Sequence, residues 1–195
     1  MYHPISTEEV LRENAAYEAR INEAEEALSR RGFPRTAVFR QPVVWDEHDQ
    51  YQHVNNAHYI RWFESARMRW MERMSRTLSP EIASNLVRGR GVGIILASTY
   101  CRYRRPVTYP DTVVIGQAAL PMKFADRVTV RSQAYSVAQS AIVAEADFEC
   151  VAYDYDRLCK ASLPPEVADA LRAWTYTGED KEPYCQKTSR RKTVS

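Results

Sequence analysis

No apolar run in this 195-residue chain approaches the roughly 20 residues that crossing a bilayer requires, so nothing in it reads as a membrane span. Cysteine is scarce and scattered: Cys101, Cys150, Cys159 and Cys185 form no CxxC pair, and no histidine stands at metal-ligand spacing from them. That argues against a metal centre or a disulfide framework and for reduced thiols inside a cell. Cys101 and Cys150 fall in strand-like stretches where buried structural thiols are commonest, which also speaks against thiol catalysis. Net charge is small, 27 Lys and Arg against 25 Asp and Glu giving +2, so the overall field calls for neither nucleic acid nor a membrane surface. The N-terminus is too acidic for a targeting signal, because Ser6-Thr7-Glu8-Glu9 opens a glutamate-rich stretch. Cytoplasmic residence is the expectation, or mitochondrial residence if a presequence has been removed.

What is present is ordinary globular composition, 45% hydrophobic and 27% charged, enough for one domain with extensions. Residues 1–36 read as a helical N-terminal extension. Ser6 or Thr7 caps it, and Val10, Leu11, Ala15, Ile21 and Ala24 form a thin apolar stripe that docks on the main domain or on a partner. The main domain spans 37–164. It opens with a β-rich stretch, Val38 to Trp45, whose Pro42 suits an edge strand. A helix follows from Asn56 to about Arg76, with Tyr59, Ile60, Phe63, Ala66, Trp70, Met71 and Met74 at helical spacing. So broad a stripe of large side chains needs a concave surface, and a curved sheet supplies one.

Four strand-like runs come next: 91–103, 111–120, 127–136 and 141–155. The third alternates Val128, Val130, Ser132 and Ala134 with Thr129, Arg131, Gln133 and Tyr135, the pattern of a half-exposed antiparallel strand. One strand, a long helix and four antiparallel strands make an α+β domain with the helix against one face of a five-stranded sheet. In 165–195, a short helix begins at Pro164-Pro165-Glu166. From about Tyr176 the polar, basic sequence reads as a loosely ordered tail.

Chemistry concentrates in the link before the long helix, Trp45 to Tyr59, which carries three acids, two asparagines and several histidines. Asn55 or Asn56 marks a helix N-terminus, where unpaired N–H groups and the helix dipole attract developing negative charge. Asp49 lies just upstream. A carbonyl polarised by that helix end and attacked with help from a carboxylate is a minimal acyl-transfer site, although a plain polar loop with an asparagine cap accounts for the same residues.

The stretch Asp49-Gln50-Tyr51-Gln52-His53-Val54-Asn55-Asn56-Ala57-His58-Tyr59, continuing to Phe63-Glu64-Ser65-Ala66-Arg67, resembles the hotdog-fold acyl-CoA thioesterases of the 4-hydroxybenzoyl-CoA thioesterase-like group. That group's loop reads D-x-x-G-H-V-N-N-A-x-Y and its helix F-E-x-A-R. Tyr103 to Pro106, then Tyr109-Pro110-Asp111-Thr112-Val113, resembles its second signature, Y-x-x-P before a G-D-x-V strand start. The resemblance covers roughly residues 37–164. It implies a hotdog fold that hydrolyses an acyl-CoA or acyl-carrier-protein thioester with no metal or redox cofactor. It also implies a homodimer or homotetramer with sites at subunit interfaces.

By the same resemblance Asp49 is the nucleophile or general base, and the Asn56 backbone N–H polarises the carbonyl. His53, Asn55 and Tyr59 shape the loop and pocket. Tyr59, Ile60, Phe63 and Ile95 are expected to line the acyl pocket, with Glu64 either there or in a helix-internal pair with Arg67. Arg104, with Lys123 and Arg127, could meet coenzyme A phosphates, although a solvated strand face explains any one of them. The chain departs from the group at Gln52, where glycine is usual and permits a tight loop. Other readings remain open: a hotdog dehydratase using His53, RNA binding by the Arg102–Arg105 stretch, and a non-catalytic hotdog subunit or acyl-CoA-binding scaffold.

Overall fold

Helix α1 (Thr7–Arg30) starts with a reciprocal cap: Ser6 Oγ accepts from the Glu9 N–H at 3.2 Å, and the Glu9 carboxylate accepts from the Ser6 N–H at 2.8 Å. The structure, a computed structural model, describes residues 5–180, 183 and 184; Cys185 and the basic end of the tail lie outside these. Only the second half of the α1 stripe is buried. Ile21, Ala24 and Leu28 pack inward, whereas Val10, Leu11 and Ala15 remain exposed. The helix is long enough to overhang the sheet, so its first turns reach past the surface that receives the rest.

Strand β1 (Val38–Pro42) is an edge strand, as its proline requires, and pairs with β3 (Thr112–Ala119) through Val38 opposite Gly116. The long helix α2 (Asn56–Ser75) lies between them in sequence. Helix α3 (Pro80–Arg88) was not anticipated, although its signals are present: Pro80 at the first turn and Gly89 in the left-handed conformation (φ 62°) as terminator. The sheet is completed by β2 (Val92–Tyr103), β4 (Arg127–Ser136), β5 (Ala141–Asp154) and a two-residue β6 (Cys159–Lys160), before α4 (Pro165–Ala173). Its order is β1-β3-β4-β5-β2, antiparallel throughout, with β6 a sixth strand on β5.

The sheet wraps α2. Tyr59, Trp62, Phe63, Ala66, Trp70 and Met74 bury their side chains against Val113, Ile115, Val130, Ala134, Ala146 and Phe148. At about 1.5–3 kcal/mol for each large side chain buried, this seam is the main source of stability. Among the described residues, no helix is long and apolar enough to cross a membrane.

Strand β4 is not half-exposed. Its outer residues Arg131 and Gln133 are 0% and 2% exposed, because the sheet's second face is covered too. Two segments cover it. The C-terminal half of α1 supplies Ile21, Ala24 and Leu28. The chain beyond α4 supplies Tyr176, which packs edge-on to Phe33 with ring centres 5.1 Å apart, and Tyr184, whose hydroxyl accepts from Gln133 at 2.8 Å. The stretch from Tyr176, expected to be loose, is therefore bound over its described residues. Polar composition hid this because the surface it covers is itself polar: Arg131 pairs with Asp147 through two contacts of 3.1 and 3.2 Å, and Asp147 also accepts from the Tyr184 N–H.

The strap crosses the end of α1 at two glycines. A Cβ on Gly32 would lie 2.1 Å from Gly178 N, and one on Gly178 would lie 2.4 Å from Arg31 O and from the Tyr176 ring. A Gly178→Ala variant should therefore lose about 2 kcal/mol, the usual cost of overpacking. Thermal unfolding would register this as a Tm lower by several degrees; an unchanged Tm would show that the crossing has slack.

Candidate active site

The chain leaves β1 through Val43 and Val44 into a single 3-10 turn, Trp45–Glu47. The three acids of this link have different environments. Asp46 is exposed and lines a separate shallow cavity with His48, Gln52 and Tyr109. Glu47 is 8% exposed, and its carboxylate accepts from the Val44 N–H and from Trp62 Nε1, both at 2.8 Å. Asp49 is partly exposed. Its Oδ1 accepts from the Tyr51 N–H at 2.8 Å, while Oδ2 has no partner among the described residues. A carboxylate tethered at one oxygen and free at the other is oriented yet available.

Asp49 also begins a tight turn. Its N–H donates to His53 O at 2.9 Å, and its carbonyl accepts from the Gln52 N–H at 3.0 Å. Closing that turn places Gln52 in the left-handed region, with φ of 62°. Gln52 thus takes the glycine conformation without being glycine. The loop therefore bears backbone strain of the order of 1–2 kcal/mol at this residue.

The turn delivers the chain to α2. Asn55 is the N-cap, its Oδ1 accepting from the Ala57 N–H at 2.9 Å while its carbonyl accepts from the His58 N–H. These bonds leave the Asn56 N–H without an acceptor among the described residues, at the positive end of a 20-residue helix. Asp49 and Asn56 line one open cavity of about 540 Å³ together with His53, Tyr59, Tyr103 and Arg105.

The cavity unites Asp49, Asn56, His53, Tyr59 and Arg104, and separates them from the remaining candidates. Asn55 is spent on the cap. Phe63 is 1% exposed and packs edge-on against Phe148 in the core, too deep to line this cavity. Glu64 points outward, 3.8 Å from Arg67, in the helix-internal pair. The strand register puts Ile95 opposite Val151, on the sheet face away from α2. Lys123 lines a different cleft of about 370 Å³, with Tyr100, Phe124, Arg127 and Glu149, beyond the far end of β3.

Arg104 reaches the cavity but is committed elsewhere, its guanidinium bonded to the buried Glu145 carboxylate. Arg105 has no ion-pair partner among the described residues, and sequence reasoning passed over it for its neighbour. Tyr103, a residue of the second motif, lines the cavity as well. Its hydroxyl donates to Asn56 O at 3.2 Å, and its ring meets Tyr59 edge-on at 5.3 Å. Burial pushes the phenols of Tyr59 and Tyr103 up to about 12, so both stay protonated and serve as hydrogen-bond donors rather than bases. Burial likewise raises the Cys101 and Cys150 thiols, the latter to about 11, which keeps them un-ionised.

The profile of the Thioesterase-like superfamily matches residues 43–171, from the end of β1 through α4. The chain belongs to that superfamily. A protein from Aquifex aeolicus that bears a provisional esterase name is 24% identical over 135 residues, covering 69% of this chain and 97% of its own. Among solved structures, a Pseudomonas aeruginosa protein aligns with a TM-score of 0.61 at 22% identity, over 73% of this chain and 93% of its own. The 1,4-dihydroxy-2-naphthoyl-CoA thioesterase of Synechocystis aligns with a TM-score of 0.58 at 16% identity, over 69% and 94%. The fold is the hotdog: a curled antiparallel sheet around a long helix.

In this thioesterase-like chain Gln52, at the position where the sequence motif implies glycine, takes a left-handed conformation. Replacing Gln52 by glycine should relieve about 1 kcal/mol of left-handed strain, partly offset by glycine's greater freedom in the unfolded chain. The expected outcome is a Tm equal to or slightly above that of the parent. A clear fall in Tm would mean that the Gln52 side chain contributes contacts that outweigh the strain.

Proposed function

We propose that this protein hydrolyses an acyl thioester, carried on coenzyme A or on an acyl-carrier protein, to the free acid and thiol. The observation that supports this most directly is that Asp49 and Asn56 line the same cavity, with one carboxylate oxygen of the first and the N–H of the second without hydrogen-bond partners among the described residues. The thioester carbonyl oxygen accepts from the Asn56 N–H, and the helix dipole stabilises the negative charge that grows on it. Asp49 then acts in one of two ways. Its free oxygen adds to the carbonyl carbon, expels the thiolate and leaves a mixed anhydride that water opens; or it takes a proton from a water that adds directly. Either route returns the carboxylate and consumes one water.

Arg105 is the cation best suited to meet a phosphate of the carrier at the cavity mouth, since Arg104 is already neutralised by Glu145. Homodimer formation fits the same reading. Strand β2 is a sheet edge whose residues 96–99 are exposed, Leu96 at 44%, and pairing this edge with a second copy would join the sheets beside the cavity.

The test is thiol release from a panel of aliphatic and aromatic acyl-CoA thioesters by the parent protein and Asp49→Asn. Asparagine keeps the Oδ1 acceptor for the Tyr51 N–H, so the loop should hold its shape and Tm should be unchanged. Loss of the carboxylate should lower kcat on the order of 100-fold or more. Equal turnover by the variant would remove Asp49 from the mechanism, and a parent protein inert on the whole panel would move the scaffold reading ahead.

A further inference from the structure

Resting on the hydrolase reading, we infer that Glu47 is a positioning residue for the reaction, its buried carboxylate holding the Asp49 loop in register with the N-terminus of α2. Three attachments converge on it. Oε2 accepts from the N–H of Val44, where the chain leaves β1; Oε1 accepts from Nε1 of Trp62, two turns into α2; and the backbone carbonyl accepts from the N–H of Asn55 at 3.0 Å. One side chain and its own peptide thus tie together the strand exit, the helix body and the helix cap. Asp49 is two residues further along, and Asn56 is the residue after the capped Asn55.

The Val44 bond alone would be local turn chemistry, spanning three residues. The Trp62 bond is of another kind. It crosses 15 residues of sequence, joins a loop to a helix and is buried at both ends, with Trp62 4% exposed. A buried carboxylate is costly unless its lone pairs are used, and here two N–H groups use them. His58 Nδ1 faces the same oxygen at 3.6 Å and is the one basic side chain with a recorded contact to this carboxylate among the described residues. An apolar residue could fill the space between β1 and α2, but it could not fix the loop against both at once. For a site whose two reacting groups lie at opposite ends of the loop from Asp49 to Asn56, that fixing matters: a displacement of about 1 Å can cost on the order of 100-fold in rate.

The test is a double-mutant cycle with Glu47→Gln and Trp62→Phe, read by kcat, KM and amide hydrogen exchange at Asn55 and Ala57, whose N–H groups donate to Glu47 O and Asn55 Oδ1. Glutamine has the same size but turns an NH₂ toward one of the two donors, and phenylalanine removes the Nε1 donor. Each single change should lower kcat by about 10-fold or more while KM moves by less than about 3-fold, and the pair together should cost little more than Glu47→Gln alone, because once the Trp62 donor is gone the glutamine can turn its oxygen to Val44 and its NH₂ to the vacated side. Exchange at Asn55 and Ala57 should quicken in every variant. Full kcat in Trp62→Phe, or effects on kcat that simply multiply, would overturn the inference; so would unchanged exchange. Should Glu47→Gln fail to fold, Trp62→Phe alone carries the test through its kcat and exchange. A parent inert on every thioester would defeat the hydrolase reading and with it the positioning of a reaction by Glu47, while the exchange data would still report separately whether Glu47 holds the loop.

Discussion

A helix that is buried along its body and open at its first turn sets the terms for the whole molecule. Tyr59, Trp62, Phe63, Ala66, Trp70 and Met74 need a surface that curves around them, and a five-strand antiparallel path from β1 to β2 provides it. Had the helix been buried at its N-terminus as well, its unpaired N–H groups would have needed internal acceptors. Instead the Asn55 side chain takes the Ala57 N–H, and Asn56, whose N–H has no acceptor among the described residues, lines the cavity. Packing energy along the seam therefore immobilises a pair of groups that contribute nothing to the packing.

The four residues from Asp46 to Asp49 show how environment divides labour among like side chains. Asp46 is solvated. Glu47 is withdrawn from water and saturated by two donors. His48 accepts from the Tyr109 N–H through Nε2 at 2.8 Å, which ties the loop to the turn before β3. Only Asp49 is both held and open. Composition alone ranks these residues together; what separates them is which N–H groups the strand exit, the helix and the neighbouring turn bring within reach.

Patterns governed by local periodicity were legible in the sequence. The α2 stripe, the four long strands, the edge character of β1 and the Ser6 cap all follow from spacing and turn chemistry. The loop motif brought Asp49, Asn56, His53 and Tyr59 to one place. What was not legible depended on partners distant in sequence. Arg104 and Arg105 are adjacent, and nothing in their order says that Glu145 neutralises the first while the second has no ion-pair partner among the described residues. Phe63 and Glu64 belong to the motif, yet helix rotation sends one into the core and the other into solvent. The outer face of β4 looked half-exposed because Arg131 and Gln133 are polar, and the cover that hides them arrives from residues more than forty positions later. Helix α3 was missed for a different reason: its proline and glycine signals are plain, but its nine residues carry too short a stripe to stand out.

The crossing of Gly32 and Gly178 brings a segment near the start of the chain against one near its end. During synthesis the first emerges long before the second. A nascent chain halted just after α4 already contains every strand of the sheet and the helix it wraps, so the inner layer can assemble. Its outer layer would still lack the Tyr176 ring over Phe33 and the Tyr184 N–H on Asp147. The Arg131–Asp147 pair would lack that cover until residues 176–184 emerged, which makes closure of that face a step that follows assembly of the sheet.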